Sequence, residues 1–265
     1  MKKPKAKLNH SRPAGKADEA PVSGDLLWGI NTVREALEKS PRNVHEVLVQ
    51  RGKSGQKHQE IIDLARSQNI RLRFVEPNRL GVPPHCRHQG VTARQAAAEL
   101  LTLEELLEKG ETRLLVLDSI QDPHNLGAVF RSALAAGFRS LILTRERSAP
   151  LSGTVAKTSA GAVSQLKICQ VVNLSESLKI LKKKGFWIYG AVARSGEAAS
   201  VYETDFMEPF CLIVGSEGKG IRPLVLRQCD HLVTIPIQGN FDSLNVSVAA
   251  AVIMFEIVRQ KNLQE

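Results

Sequence analysis

Five short apolar runs, at 113–118, 140–144, 186–192, 210–214 and 232–235, are separated by helix-forming stretches through the last three fifths of this chain. Runs that are apolar without alternation are strands buried on both faces, and strands that alternate with helices pair in parallel beneath them. The expected architecture is therefore α/β, a parallel sheet covered by helices on both sides. On pattern alone it is an unknotted, doubly wound sheet. Ligands in such sheets bind in loops at the carboxyl ends of strands, and three loops in that position carry unusual residues.

The first, at 117–137, reads LDSIQDPHNLGAVFRSALAAG. Asp122-Pro123 makes a turn, Asn125 is a good helix N-cap, and Gly137 stands where a helix-ending glycine belongs. Leu126, Val129, Phe130, Ala133 and Leu134 form one apolar stripe, with Arg131 on its flank. From there a guanidinium can reach the sheet edge; an exposed helical arginine is the alternative. The second loop, IVGSEGKGIRP at 213–223, lets a ligand approach its glycine backbone closely. Gly215, Gly218 and Gly220 do not have the dinucleotide spacing, and Ile221 stands where a phosphate loop needs lysine. The third, at 234–258, reads TIPIQGNFDSLNVSVAAAVIMFEIV. Ser243 or Asn245 can cap a helix that is apolar nearly all round, and such a helix must be covered by the core or by a second subunit. A symmetric homodimer is expected.

Upstream, residues 25–95 read as a small α/β unit, with helices over 31–39 and 56–68 and strands over 44–50 and 71–75. Residues 1–24 have almost no large apolar side chains and read as a disordered basic tail. Residues 96–110 are helix-prone and end in Gly110, which suits a linker over 96–111 before a unit at 112–265. The formal net charge is +9, and all of it lies before residue 96, since 96–265 holds eighteen basic and eighteen acidic side chains. Phosphate contacts to nucleic acid come mainly from Lys and Arg, so a polyanionic partner is expected at the first third of the chain. On charge alone, a solvated face is the alternative. The four cysteines have no Cys-x-x-Cys spacing, and no apolar run reaches membrane-helix length. A soluble, cytoplasmic protein with reduced thiols, no membrane partner and no metal site is expected.

DPHNLGAVFRSALAAG, IVGSEGKGI and IPIQGNFDSLNVSVAAA, in that order and spacing, resemble the motifs of the SpoU/TrmH family of RNA ribose 2′-O-methyltransferases, within the SPOUT superfamily. WGINTVREAL through HQGVTAR is similar to the L30e-like RNA-binding domain of bacterial family members that methylate a guanosine in large-subunit ribosomal RNA. The resemblance implies a deep trefoil knot in the C-terminal SPOUT domain, a homodimer, and S-adenosyl-L-methionine as cofactor. It implies cofactor contacts from Gly215, Ile235 and Leu244 through backbone groups, with Ser216, Gly218 and Gly220 nearby. The loop from Ala191 to Arg194 would close the adenosine side. Asn125, Arg131, Glu217, Ser243 and Asn245 match the family's polar positions, Arg131 its catalytic arginine.

Other groupings have simpler readings. His124 belongs to a turn, Asp118 and Asp122 to strand-end and cap roles, and Lys182 to Lys184 to a helix end whose dipole favours cations. His85, Cys86 and His88 lack a completing ligand for a metal. Methylation of transfer RNA and a binding-only ribosome assembly factor are the rival functions. The L30e-like domain favours ribosomal RNA, and the complete polar set favours an enzyme.

Overall fold

The structure, a computed structural model, describes residues 26–39, 41–82, 86–95, 100–193, 196–239 and 243–263. The tail expected over 1–24, His85, residues 96–99 of the expected linker, Arg194 and residues 240–242 lie outside these.

The first sheet is built from β1 (Leu26–Trp28), α1 (Ile30–Lys39), β2 (Val44–Gln50), α2 (Gln56–Ser67), β3 (Arg71–Val75) and β4 (Val91–Gln95). Its strand order is β1-β4-β2-β3, with β3 parallel to β2 and β4 antiparallel to both neighbours. One face buries Leu27, Val47, Val49 and Ala93 with Val33 and Leu37 of α1 and Ile61 and Ala65 of α2. β1 and β4 escape pattern reading because one has three residues and the other, VTARQ, has no apolar run.

The second sheet comprises β5 (Leu100–Leu101), α3 (Leu103–Glu108), β6 (Arg113–Asp118), α4 (Pro123–Ala135), β7 (Ser140–Thr144), α5 (Gly153–Thr158), β8 (Lys167–Val171), α6 (Leu174–Lys183), β9 (Trp187–Ala191), β10 (Ala199–Ser200), β11 (Phe210–Gly215), α7 (Pro223–Leu226), β12 (His231–Thr234) and α8 (Val246–Asn262). The order is β10-β12-β9-β11-β6-β7-β8-β5, and every pairing is parallel. Leu115 and Leu117 of β6 face the core shared with α4, α5 and α8. Leu114 and Val116 face the opposite core, with α3, α6 and α7.

The winding differs from the doubly wound pattern. β11 lies between β6 and β9 although it follows β9 in the chain. All six residues of β11 are buried, as a strand near the middle of the sheet requires, and β9 lies outside it, between β11 and β12. Residues 100–108 are not one continuous helix. Leu100 and Leu101 extend the sheet edge, and Thr102 then starts α3 through a capping box, its Oγ1 accepting from the Glu105 N–H at 3.2 Å while Glu105 accepts from the Thr102 N–H at 2.7 Å.

The two sheets meet where β1 reaches α5. A Cβ on Gly153 would stand 2.2 Å from the Trp28 ring and 2.7 Å from the Leu26 carbonyl oxygen, so only glycine permits this approach. The Lys157 ammonium lies 5.7 Å from the Trp28 ring centroid. Among the described residues, no helix is long and apolar enough to cross a membrane.

Candidate active site

The carboxyl ends of β9, β11 and β12 surround a cavity of about 460 Å³. Ala191 lines it from β9, Gly215, Ser216, Glu217, Gly218 and Gly220 from the second loop, and Ile235, Ser243, Leu244 and Asn245 from the third. Its apolar wall also includes Val214, Ile237, Val246, Ala249 and Ile253. Motif reading did not single out these residues as site members. Only their nearness to strand ends signals that they face a ligand.

The second loop is held by backbone geometry. Ser216 and Gly220 exchange two backbone hydrogen bonds, at 3.1 and 2.9 Å, which folds the intervening residues into a tight turn. A Cβ on Gly215 would stand 2.1 Å from the Gly220 carbonyl carbon, a distance no side chain allows. From the other side, Asp118 anchors the turn. Fully buried at the end of β6, it accepts from Arg222 Nε at 2.6 Å, from the Arg222 backbone N–H at 2.9 Å and from Ser119 Oγ at 3.0 Å. Arg222 is a positioning residue that the motif reading passed over.

Asn245 joins the three loops. Its Oδ1 caps α8, accepting from the Ser247 N–H at 2.9 Å and the Val248 N–H at 3.4 Å. That commitment orients the amide, so Nδ2 points the other way and donates to Asn125 Oδ1 at 3.0 Å and to Glu217. Asn125 therefore acts as acceptor through its oxygen. Its own amide N–H groups have no partner among the described residues and are available as donors.

One expectation needs correction, and two other residues are placed by the structure. The cap of α4 is Asp122, which accepts from the His124 N–H at 2.9 Å. Because Pro123 occupies the first helical position, where its missing N–H costs nothing, Asn125 falls in the first turn and its side chain is released for the site. Arg131, six residues farther along α4, is exposed and does not line the cavity. It makes no hydrogen bond or ion pair among the described residues. Lys182, in the last turn of α6, pairs with Asp230 at 2.7 Å.

His124 also stands apart from the cavity, its ring 3.4 Å from Thr158 Oγ1. Among the described residues no three His, Cys, Asp or Glu side chains gather to hold a metal ion. The four cysteines are free, and burial pushes the Cys169 thiol up to about 11 and Cys229 to about 12. A cavity of this size matches a nucleoside-sized ligand. Its apolar wall suits a flat base, its glycine turn permits close backbone contact, and the Asn125–Asn245–Glu217 group supplies a polar edge.

Residues 112–255 match the model of the SpoU rRNA Methylase family, and residues 26–101 match that for RNA 2′-O ribose methyltransferase substrate binding. The 23S rRNA (guanosine-2′-O-)-methyltransferase RlmB of Xanthomonas campestris is 45% identical over 242 residues, covering 89% of this chain and 96% of its own. The SpoU methyltransferase AviRb of Streptomyces viridochromogenes, solved in complex with the cofactor AdoMet, shares the fold with a TM-score of 0.67. It is 24% identical, with 90% of each chain covered. A TrmH/SpoU tRNA modifying enzyme of A. aeolicus, 28% identical with a TM-score of 0.52, covers 61% of this chain and 83% of its own.

Proposed function

The chain belongs to the SpoU rRNA Methylase family, and we propose that it methylates the ribose 2′-hydroxyl of a guanosine in large-subunit ribosomal RNA, using S-adenosylmethionine. The observation that carries this reading is the convergence of three loops, distant in sequence, on one cavity with a hydrogen-bonded polar group at its edge. The small unit favours ribosomal over transfer RNA, because the RlmB relative spans 89% of the chain whereas the tRNA modifying relative spans 61%.

The cavity residues fit the cofactor. Backbone groups at Gly215, Ile235 and Leu244 would hold its polar edges, Ser216, Gly218 and Gly220 would lie close beside it, and Ala191 would close the adenosine side. When bound, S-adenosylmethionine supplies a methyl group on a positively charged sulfur, which leaves with the bonding electron pair as a neutral thioether. The ribose oxygen would form the new bond to carbon and pass its proton to the neighbouring RNA phosphate and from there to water. What this chain contributes is mostly placement, which accelerates such transfers strongly. Asn245, itself held by Glu217, fixes Asn125 so that its free amide N–H groups can hold a ribose oxygen in line with the methyl carbon, and Ser243 adds a hydroxyl at the same edge. Arg131 remains protonated and cannot serve as a base. Standing outside the cavity, it takes the RNA phosphate beside the reacting ribose and lowers the energy of the developing alkoxide.

A homodimer and the knotted C-terminal segment belong to the same reading. α8 buries Ala250, Ile253, Met254 and Ile257 but leaves Val248 and Phe255 each 48% exposed, with Val252 half-buried between them. This apolar stripe suits a twofold contact. The non-sequential place of β11 is compatible with a threaded segment. A cytoplasmic location accompanies a ribosomal substrate. The test offers labelled S-adenosylmethionine with unmodified ribosomal and transfer RNA in separate reactions. Label in large-subunit RNA is expected, and label confined to transfer RNA would overturn the substrate.

A further inference from the structure

The outer face of the small sheet, opposite α1 and α2, has an unusual composition. Strand register places Leu26, Arg94, Glu46 and Arg71 in one row across it, and Trp28, Thr92, Leu48 and Arg73 in the next. Leu80 packs on Leu48 and Val75 and covers one part of the face. At the uncovered part, Arg71, Arg73 and Arg94 surround the single carboxylate of Glu46.

Glu46 is only 8% exposed, while the three arginine side chains are 72%, 53% and 57% exposed. Their ion-pair distances to Glu46 are 3.5, 3.5 and 4.0 Å, and Glu46 Oε1 accepts no hydrogen bond. The carboxylate thus gathers three guanidinium groups without consuming their donors. None of the three makes a side-chain hydrogen bond among the described residues. The cluster retains two net positive charges and a fan of free N–H groups directed to solvent, a geometry matched to phosphate oxygens.

We propose that this face is a phosphate-binding surface that grips the RNA backbone, with Arg71, Arg73 and Arg94 as the contacting residues and Glu46 as the residue that positions them. The inference rests on the proposed RNA substrate and adds where the small unit holds it. Three contiguous strands present the charges, so they span roughly 10 Å at about 4.8 Å per strand, a breadth suited to following a backbone rather than a single ion. The same face is packed against the unit that carries the active site. Its Trp28 and Leu26 abut Gly153 of α5, and α5 abuts α4, where a Cβ on Gly127 would stand 2.7 Å from Thr158 Cβ. Asn125 lies two residues from that crossing. RNA gripped by the arginines is therefore held by a unit that packs, through α5, against the helix carrying Asn125.

The test measures binding of the full chain to a large-subunit ribosomal RNA fragment over a range of salt concentrations. It compares wild type with the variant R71Q/R73Q/R94Q and with E46Q/R71Q/R73Q/R94Q, in which no buried carboxylate is left unpaired. The slope of log affinity against log salt should fall by about 2 to 3 in both variants, as expected when three phosphate contacts are lost. Affinity at physiological salt should fall at least tenfold. S-adenosylmethionine binding within twofold of wild type, together with an unchanged circular dichroism spectrum and thermal unfolding profile, shows that both units of the variants are folded. An unchanged slope and affinity in the folded quadruple variant would overturn the proposal. Methyl transfer is read separately. RNA binding with the expected loss of slope, but no transfer by wild type, would leave this surface standing and refute the enzymatic reading.

Discussion

Asn245 donates its side-chain N–H to Asn125 Oδ1 at 3.0 Å, tying the start of α8 to the first turn of α4 across 120 residues of chain. The direction of that bond is set by the other end of the amide, which caps α8. Asn245→Ser keeps a good capping oxygen and removes the donor, whereas Asn245→Ala removes both. Serine should preserve stability and lower kcat at least a hundredfold. Alanine should lose similar activity and about 1 kcal/mol of stability as well. Thermal unfolding and single-turnover methyl transfer measure the two effects separately, and a fully active serine variant would remove Asn245 from the site.

Gly215 is the position where the second loop cannot accept a side chain. Gly215→Ala forces the turn away from β11, since the added carbon would stand 2.1 Å from the Gly220 backbone. Overpacking of this kind costs about 1–3 kcal/mol. S-adenosylmethionine affinity, measured by titration calorimetry, should fall at least tenfold.

Arg131 stands outside the cavity and makes no ion pair among the described residues, so its removal leaves no buried partner stranded. Arg131→Ala should bind S-adenosylmethionine within twofold of wild type and turn over at least a hundredfold more slowly. Arg131→Lys should recover only part of the loss, because an ammonium lacks the planar fork that fits phosphate. Normal turnover by the alanine variant would take the arginine out of the mechanism.

Near the end of the chain, Arg259 donates two hydrogen bonds to Glu256, at 2.8 and 2.7 Å, and holds its carboxyl below the ordinary value of 4.5; burial opposes this and a hydrogen bond from Gln260 assists it. A carboxylate with a lowered folded value adds stability above about pH 4.5, and that stability disappears as pH falls through the lowered value. The difference in Tm between wild type and Glu256→Gln should be largest near neutrality and close below pH 4. A constant difference from pH 7 to pH 3 would contradict the pairing.

Much of this was legible in the sequence because the informative residues are of the kinds that physics constrains most tightly. The buried strands β6, β7 and β11 are uninterrupted apolar runs, and the three loops hold glycines and side chains that no core requires. β8 was hidden because Lys167 and Gln170 leave it only a two-residue apolar run, and β5 by helix-forming neighbours that only the Thr102 capping box separates from it. The order of strands was not legible, since periodicity records burial and not which strand lies beside which. The same limit explains Asn125. Composition made it a good cap, but Pro123 moved the helix start upstream and released its side chain. Arg131 was found by motif alone, and its position outside the cavity depends on helix phase and packing. The arginine fan around Glu46 has no sequence signature, because its members come from three strands.

The most direct measurement is nucleoside analysis by mass spectrometry of unmodified large-subunit ribosomal RNA after incubation with the protein and S-adenosylmethionine. The account predicts 2′-O-methylguanosine at a single site, absent when Asn245→Ser replaces the wild type. A methylated base in place of a methylated ribose, or no methylation of ribosomal RNA by a protein that binds both RNA and cofactor, would contradict it.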